Sequence, residues 1–143
     1  MRKFCLSASF LLLATSAWAD ANVVIPHFTN ETETSGLKSV YKGDWQYMVG
    51  GGVAAFDCTG NGFPDLFFAG GENKAKLFIN KSKRGGALKF EEAKDTGLEF
   101  DHVTGAYPID IDGDGIMDLV VMRVGESKVM KGLGNCKFAD MKD

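Results

Sequence analysis

One stretch of this chain is written twice. Gly52-Val-Ala-Ala-Phe-Asp57-Cys-Thr59-Gly-Asn61-Gly62-Phe-Pro-Asp65-Leu66-Phe-Phe lies over Gly105-Ala-Tyr-Pro-Ile-Asp110-Ile-Asp112-Gly-Asp114-Gly115-Ile-Met-Asp118-Leu119-Val-Val, at a constant offset of 53 residues. Downstream, Lys76–Asn80 corresponds loosely to Lys128–Lys131, and Phe90–Asp95 lies over Phe138–Asp143 at offset 48. The first copy therefore carries about five extra residues, most simply in the polar stretch Asn80 to Gly86. A third echo stands upstream, where Phe28 to Thr34-Ser-Gly36-Leu37 resembles Phe90 to Thr96-Gly97-Leu98. A repeat of this length means that each unit buries its apolar face against a neighbour of the same build.

Within each unit the apolar runs are short. Val53–Phe56, Leu66–Ala69, Ala75–Ile79 and Leu88–Glu91 are expected strands of the first copy. Ala106–Ile109, Leu119–Met122, Lys128–Lys131 and Lys137–Ala139 are their counterparts. The second run of each copy is continuously apolar, as in strands buried on both faces. Beyond the N-terminus no window shows a helical period. The 18 glycines among 143 residues follow no Gly-X-Y period, which excludes collagen, and many fall between the runs, where turns need them. Four short antiparallel strands repeated radially describe the blade of a β-propeller, so the expected class is all-β. Two blades do not close a ring of about four to eight. The second copy stops at Asp143, which matches Asp95, one residue before the first copy runs on into Thr96-Gly97-Leu98. The expectation is the N-terminal part of a longer propeller; the alternative is a two-blade protein that self-assembles.

The expected organisation is a signal peptide over 1–19, an N-terminal segment with an outer strand over 20–37, and blades over 38–98 and 99–143. Arg2 and Lys3, the apolar run Phe4 to Ala14, and Ala17-Trp18-Ala19 form a three-part secretory signal cleaved after Ala19. The run is shorter than the about 20 residues of a membrane span. Export to the periplasm or the medium follows, without a membrane span. Cys5 leaves with the signal, and Cys58 and Cys136 remain, either as a disulfide or as two independent buried thiols. The formal charge of −3, with scattered basic residues, offers nothing to nucleic acid.

Asp110, Asp112, Asp114 and Asp118 place four carboxylates in nine residues. Such crowding costs free energy unless a cation sits among them. With the main-chain carbonyl of Ile116 they make an oxygen cage suited to Ca²⁺ rather than to the stricter octahedron of Mg²⁺. Gly115 permits the turn. An EF-hand is excluded, because its bidentate Glu at position 12 is replaced by Val121 in an apolar strand. The first copy is a diluted version: Asp57, Thr59, Asn61, the carbonyl of Phe63, and Asp65. It is expected to bind more weakly, both loops falling in the roughly 10⁻⁴–10⁻³ M range of extracellular modules. The competing reading of each loop is a plain hydrogen-bonded turn.

An enzyme is not expected. His27 and His102 stand in no metal-ligand spacing, no Gly-x-Ser-x-Gly elbow occurs, and Gly50-Gly51-Gly52 precedes a strand without the Lys-Ser/Thr of a phosphate loop. Between Leu37 and Gly52 the first unit carries eight residues more than the second has between Leu98 and Gly105, among them Tyr41, Asp44, Trp45 and Tyr47. These either form a ligand surface for a protein or glycan or cover the N-terminal edge of the core.

The inner strand, the Asp-x-Asp-x-Asp-Gly-x-x-Asp loop and the second strand resemble the FG-GAP/VCBS repeat of integrin-α-like β-propellers. Gly52-Val-Ala-Ala-Phe-Asp57, Pro64-Asp-Leu-Phe-Phe-Ala-Gly-Gly71 and Thr96-Gly97-Leu98 are similar to ASPIC/UnbV-type and cartilage-acidic-protein-like secreted proteins. The resemblance implies a ring of about seven blades, with Ca²⁺ in the loop between the first two strands of each. It carries ligand roles to Asp110, Asp112, Asp114 and Asp118, and by weaker match to Asp57, Thr59, Asn61 and Asp65. It further implies adhesion, ligand binding or a scaffold role. The alternative is the non-catalytic propeller part of a larger exported enzyme.

Overall fold

The computed structural model describes residues 24–141. The expected signal peptide and its cleavage after Ala19 lie outside them, as do Lys142 and Asp143. The chain folds into two four-stranded antiparallel sheets with meander order. Sheet 1 holds β1 (Val53–Phe56), β2 (Asp65–Phe68), β3 (Lys76–Asn80) and β4 (Phe90–Glu92). Sheet 2 holds β5 (Val103–Ile109), β6 (Asp118–Arg123), β7 (Lys128–Gly132) and β8 (Phe138–Asp140). One 3₁₀ turn, Trp45–Tyr47, precedes β1. The all-β expectation holds, with two sheets of propeller-blade build.

Strand ends differ from the sequence reading where side chains take over backbone groups. β4 begins at Phe90 rather than Leu88, because the Lys89 and Leu88 amides donate to Ser82 Oγ and Glu31 Oε2 instead of a ladder. β5 begins at Val103 rather than Ala106. Val103 pairs with Arg123 across a bulge at Val103/Gly105, and its carbonyl also receives the Gly71 amide of sheet 1.

The core lies between the sheets. One face of sheet 1, with Ala54, Phe56, Phe67 and Leu77, packs on the face of sheet 2 that carries Leu119, Val121, Met130 and Phe138. The Phe56 and Phe138 rings meet edge to face at 6.2 Å, a contact worth about 0.5–1.5 kcal/mol beyond its burial. Cys58 and Cys136 form a disulfide that fastens the first loop to sheet 2.

The upstream echo has a structural counterpart. The Phe90 amide donates to the Ser35 carbonyl at 2.7 Å, as the Phe138 amide donates to Thr96 at 2.8 Å. Each tie is followed by a glycine of positive φ, +83° at Gly36 and +86° at Gly97. A Cβ at either would collide with the carbonyl oxygen of Phe90 or Phe138, so only glycine fits.

Candidate metal centre

The two loops join the first and second strands of their sheets and share one hydrogen-bond plan. Asp57 Oδ1 receives the Gly60 amide at 2.8 Å and Oδ2 the Gly62 amide at 2.7 Å. Asp110 receives Gly113 at 2.8 Å and Gly115 at 3.0 Å in the same way. Asn61 Oδ1 accepts the Phe63 amide, and Asp114 Oδ1 the Ile116 amide, each at 2.8 Å. A carboxylate at position 1 thus folds the loop by collecting amides that would otherwise point at nothing. Burial opposes the charge on Asp57, but the amides of Gly62, Gly60 and Asn61 and the Thr59 hydroxyl together hold its carboxyl below the ordinary range.

The last carboxylate of each loop has a different place. Asp65 and Asp118 are fully buried. Asp65 Oδ2 accepts the Cys58 and Thr59 amides at 3.0 and 3.2 Å, and its Oδ1 accepts the Asn80 amide at 2.8 Å. Asp118 accepts Ile111 at 2.9 Å and Gly132 at 2.8 Å. Each therefore ties its loop to the end of the third strand.

The structure gathers Asp110, Asp112 and Asp114, whose carboxylate oxygens lie within 4.8 Å of one another. Asp118 stands apart from this group with both oxygens on backbone amides. Lys131 of β7 reaches the cluster, its Nζ on Asp112 Oδ2 and at 2.7 Å from Asp114 Oδ2. Asp112 and then Asp114 push the lysine pKa upward, and Lys131, followed by the Ile116 amide, holds Asp114 below the usual carboxylate range. Three carboxylates at positions 1, 3 and 5 form an oxygen-only donor set, which fits a hard divalent cation such as Ca²⁺.

In the first loop the corresponding side chains are neutral. Thr59 Oγ1 donates to Asp57 Oδ1 at 3.1 Å, and Asn61 Nδ2 points at the Asn80 carbonyl at 3.4 Å. Ile79 occupies the strand position equivalent to Lys131. A second cluster, Cys58, Asp65 and Cys136, places a carboxylate oxygen 3.2 and 3.7 Å from the two sulfurs. Those sulfurs are bonded to each other and offer no thiolate to a metal. Between the two loops lies a cleft of about 290 Å³, lined among others by Asp57, Thr59, Gly60, Gly115 and Ile116.

The aromatic insertion divides. Tyr47 is buried and Tyr41 half-buried, their rings edge to face at 6.3 Å. Burial, then Glu72, raises the Tyr47 pKa, so its hydroxyl stays protonated and pairs with His102 Nδ1 at 2.5 Å. Trp45 is 79% exposed, and Asp44 is also exposed. Tyr41 and Tyr47 thus cover the core edge, while Trp45 and Asp44 face outward.

Sequence reasoning did not find Lys131, Asn80 or the Tyr47–His102 pair. Lys131 had a signal, since it is a lysine where the first copy has Ile79, in the strand beside the more acidic loop. The partner of His102 had none, as 55 residues separate it from Tyr47.

A repeated loop-and-sheet unit with a carboxylate at the first and ninth positions defines the class, an all-β repeat of blade build. Residues 57–121, from the first residue of loop 1 to Val121 in β6, match the family described as FG-GAP-like repeat. No curated protein and no solved structure matches the chain.

Proposed function

We propose that this chain is an exported, calcium-binding segment of a β-propeller that serves in adhesion, ligand binding or as a scaffold, and not in catalysis. The observation that carries the reading is the convergence of Asp110, Asp112 and Asp114 in a loop whose fold is already fixed by Asp110 and Asp118. Asp110 and Asp118 take four amides, and Asp112 and Asp114 take one each, which leaves an oxygen of each of these two facing Lys131. Asp112 and Asp114 gain from a cation, and Lys131 supplies one in its absence. The Cys58–Cys136 disulfide supports an oxidising destination, periplasmic or extracellular. The likeness to ASPIC/UnbV-type and cartilage-acidic-protein-like secreted proteins supports the same destination and a protein or glycan ligand, for which exposed Trp45 and Asp44 are the candidate contacts. Calcium would act as a permanent staple of the loop.

The test is thermal unfolding of the purified chain with increasing Ca²⁺, beside the double variant Asp112→Ala, Asp114→Ala. At about 100 times the dissociation constant the ion adds about 2.7 kcal/mol. A rise in Tm seen only in the parent chain supports the reading. An unchanged Tm in folded parent protein overturns it and leaves the loops as hydrogen-bonded turns.

A further inference from the structure

Of the six asparagines in the chain, only Asn61 is followed by glycine. Both residues are exposed in loop 1, and Gly62 has φ +82° with no atom within 4 Å of where a Cβ would stand. No side chain therefore screens the Gly62 nitrogen from the Asn61 amide carbon. An Asn-Gly pair is a common turn, but here two hydrogen bonds act on the atoms of a single reaction. Asn61 Oδ1 accepts the Phe63 amide at 2.8 Å, which closes a ring containing the Gly62 nitrogen and holds the side-chain amide on that side. The same donor polarises the carbonyl and stabilises the negative charge that gathers on Oδ1 when its carbon is attacked. Asp57 Oδ2 accepts the Gly62 N–H at 2.7 Å. That N–H lies in the peptide plane, whereas attack starts from the face of the plane, so Asp57 draws on the proton without blocking the nitrogen.

Loop 2 has the same arrangement around a different group. The Gly115 amide donates to Asp110 at 3.0 Å and the Ile116 amide to Asp114 Oδ1 at 2.8 Å. There the side chain is a carboxylate paired with Lys131 at 2.7 Å, a poor electrophile with no neutral leaving group. Asn80 is buried, its Nδ2 on the Pro64 carbonyl, and precedes Lys81. Asn30, Asn73 and Asn135 precede Glu31, Lys74 and Cys136, whose side chains crowd the nitrogen.

We propose that Asn61 is a self-modification site, at which loop 1 converts its own side-chain amide into a carboxylate. The Gly62 nitrogen bonds to Asn61 Cγ and gives up its proton by way of Asp57. The bond from Cγ to Nδ2 breaks, and ammonia leaves with that proton. Water then opens the cyclic imide at one of its two carbonyls. Opening at the main-chain carbon gives the β-linked isomer, and opening at Cγ gives aspartate in the original backbone. The aspartate product carries carboxylates at positions 1, 5 and 9, and position 5 is the place that Asp114 fills in loop 2. Ile79 stands where loop 2 has Lys131, so the new charge meets no lysine from the third strand. Loop 1 thereby becomes the stronger cation loop that its partner already is, since ligand charge sets affinity. This consequence rests on the calcium reading above; the modification itself does not.

The test holds the folded chain at physiological temperature in water enriched in heavy oxygen, followed by peptide mass mapping. The peptide with Asn61 is expected to take up one heavy oxygen as ammonia is lost, while every other asparagine stays unlabelled. Asp57→Asn keeps the Asn-Gly pair and is expected to slow labelling at least about tenfold, below the roughly 10²–10⁴ of a well-placed base. The parent chain, reduced and in denaturant, also keeps the pair but loses the loop, and is expected to label more slowly than the folded chain. That comparison stands even if the variant fails to fold. A folded chain that stays unlabelled, or labels no faster than the denatured one, overturns the proposal, as does undiminished labelling of folded Asp57→Asn. Asn61→Asp, the product made directly, is expected to bind calcium at loop 1 roughly tenfold more tightly in calorimetric titration. Label at Asn61 without calcium binding by either chain counts against the calcium reading and leaves the modification in place.

Discussion

The two loops share a hydrogen-bond plan and solve the same electrostatic problem by different means. Loop 1 keeps charge low, with Thr59 and Asn61 at its middle positions, and is fixed covalently through Cys58. Loop 2 has Ile111 at that position and no covalent tie. Its middle positions are Asp112 and Asp114, and a lysine from β7 balances them. Loop 1 is therefore a rigid corner whose donors are largely committed to one another. Loop 2 holds its extra charge with a side chain that can swing away. One repeat backbone thus carries a loop fixed by a disulfide in one copy and a loop balanced by ion pairs in the other.

The largest expected effect comes from the bond that only loop 1 has. Replacing Cys58 and Cys136 together by Ser opens a loop with a sequence separation of 78 residues. The chain-entropy account puts the loss at about 4–5 kcal/mol. Denaturant unfolding of the double variant checks it, as does reduction of the parent chain, and an unchanged midpoint would remove the main difference between the loops.

Next come the buried carboxylates, where the loops should behave alike. Asp65→Ala strands three amides and is expected to cost about 3–5 kcal/mol; Asp118→Ala strands two and about 2–4 kcal/mol. Both losses should persist in excess calcium, since these oxygens serve backbone amides. A loss at Asp118→Ala that grows in excess calcium would instead show that this carboxylate reaches the ion.

Lys131→Met sharpens the contrast at loop 2. Removing the built-in cation is expected to tighten calcium binding roughly two- to tenfold, the scale of exposed ion pairs. Ile79→Lys is expected to weaken whatever binding loop 1 shows. Calorimetric titration of both variants checks the pair.

The smallest effect concerns the crossing between the sheets rather than either loop. Burial opposes the charge on Glu99, but the Thr96 amide and hydroxyl, with further amides including Gly97, outweigh it and hold the carboxyl below its ordinary 4.5. The unfolded chain therefore takes up this proton first as pH falls. The stabilisation is complete above about pH 4.5 and disappears as pH drops through the lower folded value. Glu99→Gln is expected to flatten the decline of Tm between about pH 5 and about pH 3.

Much of the architecture was legible in the residues because a repeat states its own boundaries. The offset of 53 located both loops, and alternating apolar runs between glycines located eight strands to within a few residues. The glycine of the Ser35-Gly36-Leu37 echo was visible as a match to Thr96-Gly97-Leu98, though its reason, the carbonyl beneath it, was not. At the loops the spacing of carboxylates placed four of them in one cage, whereas the structure gathers Asp110, Asp112 and Asp114 and sets Asp118 on the amides of Ile111 and Gly132. The spacing could not separate the fourth, because whether Asp118 faces an ion or the amide of Gly132 depends on where β7 ends.

By itself, then, the sequence determined what is local or periodic: an all-β chain, its doubled unit, the turn residues, and the charge gathered in loop 2. Only the tertiary structure decided what depends on distant segments meeting. It paired Cys58 with Cys136, set Lys131 among the aspartates, joined Tyr47 to His102, and chose which face of each sheet packs on the other. The physical reason is that spacing along the chain fixes backbone conformation and the side a residue faces. The neighbour it meets there is set by the docking of one sheet on the other.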